Sequence, residues 1–176
     1  MKGAAMYAVG DKVVHPGYGP GIIRDVERRQ VIGEAKRYYV IDMQSGGGTL
    51  MTPVAKADDV GLRPAISPVS LEKLLHSLTG TPQVLSEDFK ERQTEIEERL
   101  KVGDVFTTAE ALRDLAWHGQ LHNLTKRDTQ LMQRAEELVA GEMALVKDIE
   151  LKAAHEQIQA ILAEAVREEA DQLAGL

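Results

Sequence analysis

Residues 9–27 read VGDKVVHPGYGPGIIRDVE and place five turn-forming residues between two β-prone stretches: Pro16, Gly17, Gly19, Pro20 and Gly21. A glycine-rich run of this kind can cradle a phosphate, but a phosphate loop opens a helix. Here Ile22 and Ile23 continue a strand instead. Glycine tolerates backbone angles that other residues avoid, and proline restricts φ, so both favour tight turns. The stretch therefore predicts a sharp connection between the first two strands of a small bent sheet.

Further short strands are predicted in the first third of the chain. Segments rich in β-branched and aromatic residues cover 12–15, 22–31, 37–43 and 50–54, with turn residues between them. Several short strands at this spacing are typical of a small, strongly bent barrel. Pro53 cannot donate a backbone hydrogen bond, so it indicates an edge strand or the end of that strand. An exposed edge could accept a strand from another chain.

The apolar residues change to helical spacing after residue 66. Residues able to cap a helix N-terminus precede each apolar stripe and predict five starts: Ser67, Ser86, Thr107, Thr125 and Asp148. Gly80, Gly103 and Gly119 are predicted to end the first three helices. Phe89 is predicted to face inward on the second helix. One continuous helix over residues 126–173 is the alternative to a break at Asp148.

These patterns predict an α+β chain with two domains. The boundaries are a disordered N-terminus over 1–6, a small bent β-barrel over 7–66, an all-α helical domain over 67–149 and an additional C-terminal helix over 150–176. The chain has no cysteine, which excludes disulfides and thiol chemistry. It has no apolar run of about 18 residues, so we predict no transmembrane helix and a cytoplasmic protein.

Charge is distributed unevenly between the two halves. Residues 1–66 carry 9 basic and 7 acidic side chains, whereas residues 67–176 carry 12 and 21, giving a net charge of −7 for the chain. Proteins that bind nucleic acid mainly through phosphates need an excess of Lys and Arg. Any nucleic-acid role of the second half must therefore be local, assisted by a partner, or absent.

Candidate catalytic and metal-binding residues do not form a site in the sequence. His118 and His122 have the spacing of a helical metal pair, but no third ligand accompanies them. His155 begins a zinc-binding motif that fails because Gln159 stands at its second histidine position. Trp117 is predicted as a partly buried core residue, with a partner or nucleic-acid anchor as the alternative. We predict no enzyme, no cofactor and no metal site.

Several motifs resemble one bacterial family. The first is VGDKVVHPGYGPGIIRDVERRQVIGEAKRYYVIDM, and it is followed in order by VGLRPAIS, ALRDL and LTKRDTQLMQRAEELVAGEMALVKDI. Together they resemble transcription factors of the CarD/CdnL type over residues 7–149. The first segment also resembles the polymerase-interacting domain of the transcription-repair coupling factor. The resemblance implies a Tudor-like or SH3-like barrel for the first domain.

The resemblance implies that this barrel binds the β-subunit lobe of RNA polymerase, partly by strand pairing. Arg29 matches a basic contact residue of the family. The second contact segment matches the strand Thr49, Leu50, Met51, Thr52 and Pro53. Met51 stands where the family often has an arginine, so one ionic contact is expected to be replaced by an apolar one.

The resemblance also implies that the helical domain contacts the upstream edge of the promoter bubble. In the family a tryptophan at the start of a helix wedges into the minor groove. Leu85 is matched to that position, with Glu87 and Asp88 where arginines are common. A leucine can act as an apolar wedge, although it offers less stacking area than an indole. The expected phosphate contacts are the basic residues that follow: Lys90, Arg92 and Arg99.

The predicted function is a transcription regulator that binds the polymerase β subunit and stabilises the promoter open complex. The predicted partners are that subunit and, weakly, promoter DNA, for a monomer that associates with the nucleoid through polymerase. The alternative is a polymerase-binding adaptor whose acidic helical domain binds another protein. The residues at 85, 87 and 88 favour this alternative, because Leu85 offers less stacking area than an indole and each of the two acidic residues opposes a phosphate contact.

Overall fold

The computed structural model describes residues 6–175, so most of the predicted disordered N-terminus lies outside the described residues. The first domain contains five strands: β1 (Lys12–His15), β2 (Gly19–Arg29), β3 (Lys36–Met43), β4 (Thr49–Pro53) and β5 (Arg63–Pro64). A single 3-10 turn over Val54–Lys56 follows β4. The predicted strands are confirmed in number and order, and β5 adds a short one that the sequence pattern did not indicate.

The five strands form one antiparallel sheet in the order β4-β3-β2-β1-β5. Its two edges are not hydrogen-bonded to each other, so the sheet is open and the predicted small bent barrel is not closed. The pairing of β2 with β3 shifts register between Ile23 and Asp25, which bends the long strand. Buried side chains of the inner strands, among them Ile23, Tyr39 and Ile41, form the core of this domain.

The turn between β1 and β2 is shorter than the sequence predicts. The connection contains only residues 16–18, and β2 already begins at Gly19, three residues before the predicted start. Gly21 pairs within the ladder opposite Val13. A Cβ atom at position 21 would lie 2.7 Å from the Asp42 carbonyl oxygen, so only glycine allows β3 to approach this closely. This glycine is required by sheet packing.

The second domain consists of five helices: α1 (Leu71–Thr79), α2 (Phe89–Lys101), α3 (Val105–Leu121), α4 (Lys126–Lys147) and α5 (Leu151–Ala174). Its main core contains Leu74, Leu78, Leu112, Val139 and Ile158 from four of these helices. The break between α4 and α5 excludes the alternative of one continuous helix. Asp148 adopts a left-handed conformation, φ 54°, at the end of α4.

Four of the predicted helix boundaries are wrong. Asp148 ends α4, and the N-cap residue of α5 is Glu150. Asp88 caps α2 by accepting hydrogen bonds from the amides of Lys90 and Glu91, whereas the prediction placed the cap at Ser86. Asp104 caps α3, so the predicted box at Thr107 is inside the first turn. Gly119 lies within α3 and does not end it. The capping box of Thr125 with Asp128 at the start of α4 is confirmed.

Polar contacts join β1 and β5 to α4. Arg63 makes a bidentate ion pair with Glu142, with N–O distances of 2.7 and 2.8 Å. Glu142 also accepts a hydrogen bond from the Ile66 amide, and Lys12 donates to the Leu145 carbonyl. Gly141 lets α4 pack on Pro20, because a Cβ there would be 3.1 Å from the proline ring. These contacts hold the sheet against α4.

Candidate functional site

Strand β4 presents an unpaired backbone edge. Within residues 6–175 it is hydrogen-bonded to β3 alone. The Met43 amide donates to the Gly48 carbonyl, which begins the alternation of bonded and non-bonded pairs along this ladder. Counting along the register, Leu50 and Thr52 form the bonded pairs with β3. The backbone groups of Thr49, Met51 and Pro53 therefore point outward, and only Pro53 lacks an N–H.

The side chains of β4 divide between two faces. Thr52 is buried and Leu50 packs against the sheet core, whereas Met51 is half-buried on the opposite face. A groove of about 350 Å³ lies at the Pro53 end of the strand. Its exposed cationic lining comes from Lys36, Arg37 and Lys56. An added strand would thus meet hydrogen-bonding groups along β4 and positive charge at its end.

Arg29 lies at the last position of β2 with about half of its side chain exposed. Its guanidinium is 2.7 Å from the Glu27 carboxylate, an exposed ion pair that a partner could displace at little cost. The strand register sets Arg29 opposite Lys36 and Arg28 opposite Arg37. Four exposed cations therefore cluster at the end of this hairpin, which the sequence had indicated only through Arg29.

Leu85 does not occupy an exposed wedge position. Its side chain is 3% exposed and packs with Ile96, Leu115 and Leu131. An apolar wedge has to reach the base steps of DNA, and a residue in this cluster cannot do so without unpacking the domain. The structure therefore contradicts the assignment of Leu85 as the DNA wedge.

Two of the three residues predicted to contact phosphate instead form ion pairs within the protein. Arg92 is 3% exposed and pairs with Asp128 at 2.7 Å, which contradicts its assignment to DNA. Arg99 is 15% exposed and pairs with Asp114 at 2.9 Å, so little of its charge faces solvent. Among the predicted DNA-contacting residues, Lys90 alone is exposed. Sequence spacing placed these cations on one helix but could not reveal their buried partners.

The aromatic residue at the start of α2 is Phe89, and it is 49% exposed. The Lys90 ammonium lies 6.0 Å from the ring centroid, and Val84, five residues earlier in the chain, is 89% exposed. Phe89 was predicted to face inward because the helix was expected to begin at Ser86. The capping preference of Asp88 was the signal that could have located the true start of α2 at Phe89.

The loop before α2 is held by the Arg92–Asp128 pair. Arg92 donates to the carbonyl oxygens of Ser86 and Glu87 and, through its other nitrogens, to both carboxylate oxygens of Asp128. Burial alone would raise the pKa of Asp128, but hydrogen bonds from Arg92, Thr125 and Gln93 outweigh it. They hold the pKa of that carboxyl well below its usual range. A charged, buried pair thus fixes the position from which Phe89 projects.

His118 of α3 and His122, the residue that follows the end of this helix, form a stacked pair with ring centroids 4.6 Å apart. Burial, followed by the charges of Arg92 and His122, lowers the pKa of His118. Groups of three or more potential metal ligands are absent from the described chain, residues 6–175.

Trp117 is 6% exposed, so it is a core residue, and the alternative of an exposed anchor is contradicted. None of the helices in the same range is long and apolar enough to cross a membrane.

The fold and these surfaces define an interaction protein, with an open strand edge on one domain and an exposed aromatic on the other. Both domains of the chain match known protein families. Residues 7–66 match the CarD-like/TRCF RID domain, and residues 73–159 match the CarD C-terminal domain. The chain belongs to the CarD family of transcription factors. It is 27% identical over 144 residues to "Putative transcription factor YdeB" of Bacillus subtilis (strain 168), covering 82% of this chain and 94% of the relative.

Proposed function

We propose that this protein binds the β-subunit lobe of RNA polymerase through β4 and stabilises the promoter open complex through its helical domain. The observation that carries the proposal is the outward-facing backbone of β4 in the domain that matches the CarD-like/TRCF RID family. The protein acts as a monomer in the cytoplasm and reaches the nucleoid through polymerase. Its contact with promoter DNA is weak and depends on polymerase.

Strand addition to β4 supplies the polymerase contact. A partner strand bonds to the amide and carbonyl of Met51 and to the backbone of Thr49, and Pro53 ends the ladder because it has no donor. Leu50 and Thr52 support the strand from the core side. Arg29 and the neighbouring cations of the hairpin add charge complementarity toward acidic groups on the lobe.

Met51→Pro is expected to weaken binding to an isolated β-lobe fragment by about tenfold or more, equivalent to about 1.4 kcal/mol or more. The substitution removes an outward donor and places a ring where the added strand must lie. Binding is measured by calorimetry. Met51 forms a non-bonded pair with Val40, so no hydrogen bond to β3 is lost.

Met51→Ala is the matched control, because it truncates the side chain and keeps the N–H. It is expected to retain affinity within about threefold of the wild type, well under 1 kcal/mol. Far-ultraviolet circular dichroism checks that both variants fold. Equal affinities for the proline variant and the wild type would rule out strand addition at β4.

Phe89 supplies the apolar contact with the promoter. It lies at the start of a helix, as the family wedge does, and presents an exposed ring with a lysine beside it. An aromatic side chain can insert at a base step or stack on an unpaired base. Glu87, Asp88 and Glu91 oppose phosphate nearby, so tethering through the β lobe has to raise the effective concentration of DNA.

Phe89→Ala is expected to shorten the open-complex lifetime by about tenfold, since aromatic stacking on a base contributes about 1–3 kcal/mol. Phe89→Trp is expected to lengthen it, because an indole offers more stacking area. The measurement is open-complex decay with polymerase and a linear promoter after addition of a competitor. Val102→Ala is the matched control, since Val102 is 68% exposed at the other end of α2.

The adaptor function is the second candidate, favoured by the acidic helical domain and by the burial of Leu85 and Arg92. In that case the helical domain binds another protein and leaves DNA untouched. The same decay measurement distinguishes the two functions. Identical lifetimes for the wild type, Phe89→Ala and Phe89→Trp, with β-lobe affinity intact, would exclude the promoter contact and leave the adaptor.

A further inference from the structure

A groove of about 500 Å³ lies between α1 and α5. Its wall on α5 is formed by residues 161–168, which follow the end of the CarD C-terminal match at residue 159. Apolar side chains of Leu75, Ile161 and Ala165 line the groove between three carboxylates: Glu72, Glu164 and Glu168. The site therefore combines an apolar floor with an acidic rim, and it is separate from both β4 and Phe89.

The floor of the groove continues into a smaller apolar recess. The two spaces share Leu75 and Ile161, and the recess holds about 70 Å³, several times the room that one water molecule needs. Its deeper wall is made of Leu71, Leu74, Leu78 and Met143. Leu75 is 43% exposed at the opening. An apolar side chain from a partner would fill this recess better than water, because its deeper wall offers almost no hydrogen-bonding groups.

The acidic rim is poorly compensated within the chain. Glu72 is 85% exposed and meets only the weakly basic His76, at 4.0 Å. Glu164 shares an exposed contact of 3.3 Å with Arg167, and Glu168 forms no ion pair within residues 6–175. Lys147 borders the recess at its far end, where it donates to Gln157. The outer rim thus carries three carboxylates, and the basic side chains paired with them are the weakly basic His76 and the exposed Arg167.

We propose that this groove binds a basic amphipathic helix of a partner protein, with an apolar anchor in the recess and Lys or Arg side chains on the rim. Charge complementarity selects this occupant. A nucleic acid is repelled by the carboxylates. A second copy of this chain carries the same net charge of −7 and brings further acidic residues on α5. The groove gives the helical domain a protein-binding site independent of its DNA contact.

The probe for this proposal is a fluorescein-labelled 18-residue peptide of leucine and lysine, with leucines at helical i, i+3, i+4 and i+7 spacing. Its comparison peptide has the same composition in an order that removes the apolar face. Fluorescence anisotropy at about 0.15 M salt limits unspecific attraction. The full chain is expected to bind the amphipathic peptide about tenfold tighter than the comparison peptide.

Two variants test the rim and the floor separately. The double variant Glu164→Lys/Glu168→Lys is expected to weaken binding by about tenfold, whereas the matched pair Glu98→Lys/Glu156→Lys outside the groove changes it less than about threefold. Leu75→Asp removes part of the floor and adds a negative charge. If the apolar floor takes part, Leu75→Asp is expected to weaken binding of the amphipathic peptide. If attraction were purely electrostatic, the added negative charge would instead strengthen binding of this cationic peptide.

Three results would overturn the proposal. Equal affinity for the two peptides would show that no apolar anchor is recognised. Equal losses in the two charge-reversed pairs would show that only net charge matters. Tighter binding by Leu75→Asp would show that the recess takes no part. All four proteins are compared by circular dichroism, and the substituted glutamates and Leu75 are exposed, so the fold is expected to persist.

Discussion

Replacing Asp128 with alanine is expected to lower the free energy of unfolding by about 3–5 kcal/mol, because it leaves the Arg92 charge buried without its partner. Asp128 is fully buried and accepts hydrogen bonds from Arg92, Gln93 and the Thr125 amide. The substitution also removes half of the capping box of α4. Urea unfolding followed by circular dichroism measures the loss.

Glu97→Ala provides a matched control for Asp128→Ala. Glu97 also pairs with an arginine across the contact between α2 and α4, but its ion pair with Arg127 is solvent-exposed. Exposed pairs contribute about 0–1 kcal/mol, so this variant should remain close to the wild type. Similar unfolding energies for Asp128→Ala and Glu97→Ala would contradict the view that burial makes the Arg92 pair indispensable.

The Asp128 carboxyl also makes the free energy of unfolding depend on pH. Because the folded-state pKa of Asp128 is lower than its unfolded value near 4, its contribution to stability is complete above about pH 4. The contribution decreases as the pH falls further, since the unfolded chain then binds a proton that the folded chain does not. Asp128→Asn should therefore show a shallower loss of stability below about pH 4 than the wild type.

Local signals predicted the parts of the fold that short segments determine. The turn residues after His15 marked the first hairpin, Pro53 marked an edge strand, and the Thr125–Asp128 spacing marked the start of α4. In each case the physical cause lies within a few residues: a restricted φ, a missing donor or a capping oxygen. The open form of the sheet depends on contacts between distant segments, whereas the strand spacing in the sequence predicted only a small bent barrel.

The candidate DNA contact was harder to predict, because two residues could each cap α2 and tertiary packing decides between them. Ser86 and Asp88 are both good N-caps, and the structure selects Asp88 while Arg92 holds the carbonyl of Ser86. That selection moves the helix start, exposes Phe89 and leaves Leu85 in the core. The deciding partner of Arg92 is Asp128, 36 residues away, and no pattern in one sequence pairs them.

Glu142→Ala is expected to lower the free energy of unfolding by about 2–4 kcal/mol and to loosen the sheet from the helices. Glu142 is 1% exposed and takes two hydrogen bonds from Arg63 and one from the Ile66 amide. Its loss leaves a backbone donor without a partner and Arg63 without its counter-charge. Arg63 is partly exposed, so water offsets some of the cost, which places the estimate below that for Asp128.

Hydrogen exchange by mass spectrometry separates loosening of the sheet from global unfolding. β5 consists of two residues and pairs only with β1 within residues 6–175. Arg63 links it to the helical domain through the Glu142 ion pair and a hydrogen bond to the Gly103 carbonyl, and the substitution removes the first of these. In Glu142→Ala, peptides covering β1 and β5 should exchange faster at urea concentrations where α3 and α4 remain protected. Arg134→Ala is the control, since it removes an exposed hydrogen bond to the Gly17 carbonyl and an exposed ion pair with Glu137, and no buried charge.

If β4 docks on polymerase while Phe89 contacts DNA, the benefit of tethering depends on a fixed distance between the two domains. Glu142→Ala should then preserve β-lobe affinity and shorten the open-complex lifetime, because the strand edge is intact but its orientation relative to α2 is not. A lifetime equal to that of Arg134→Ala, despite faster exchange in β1 and β5, would show that the two domains act without rigid coupling.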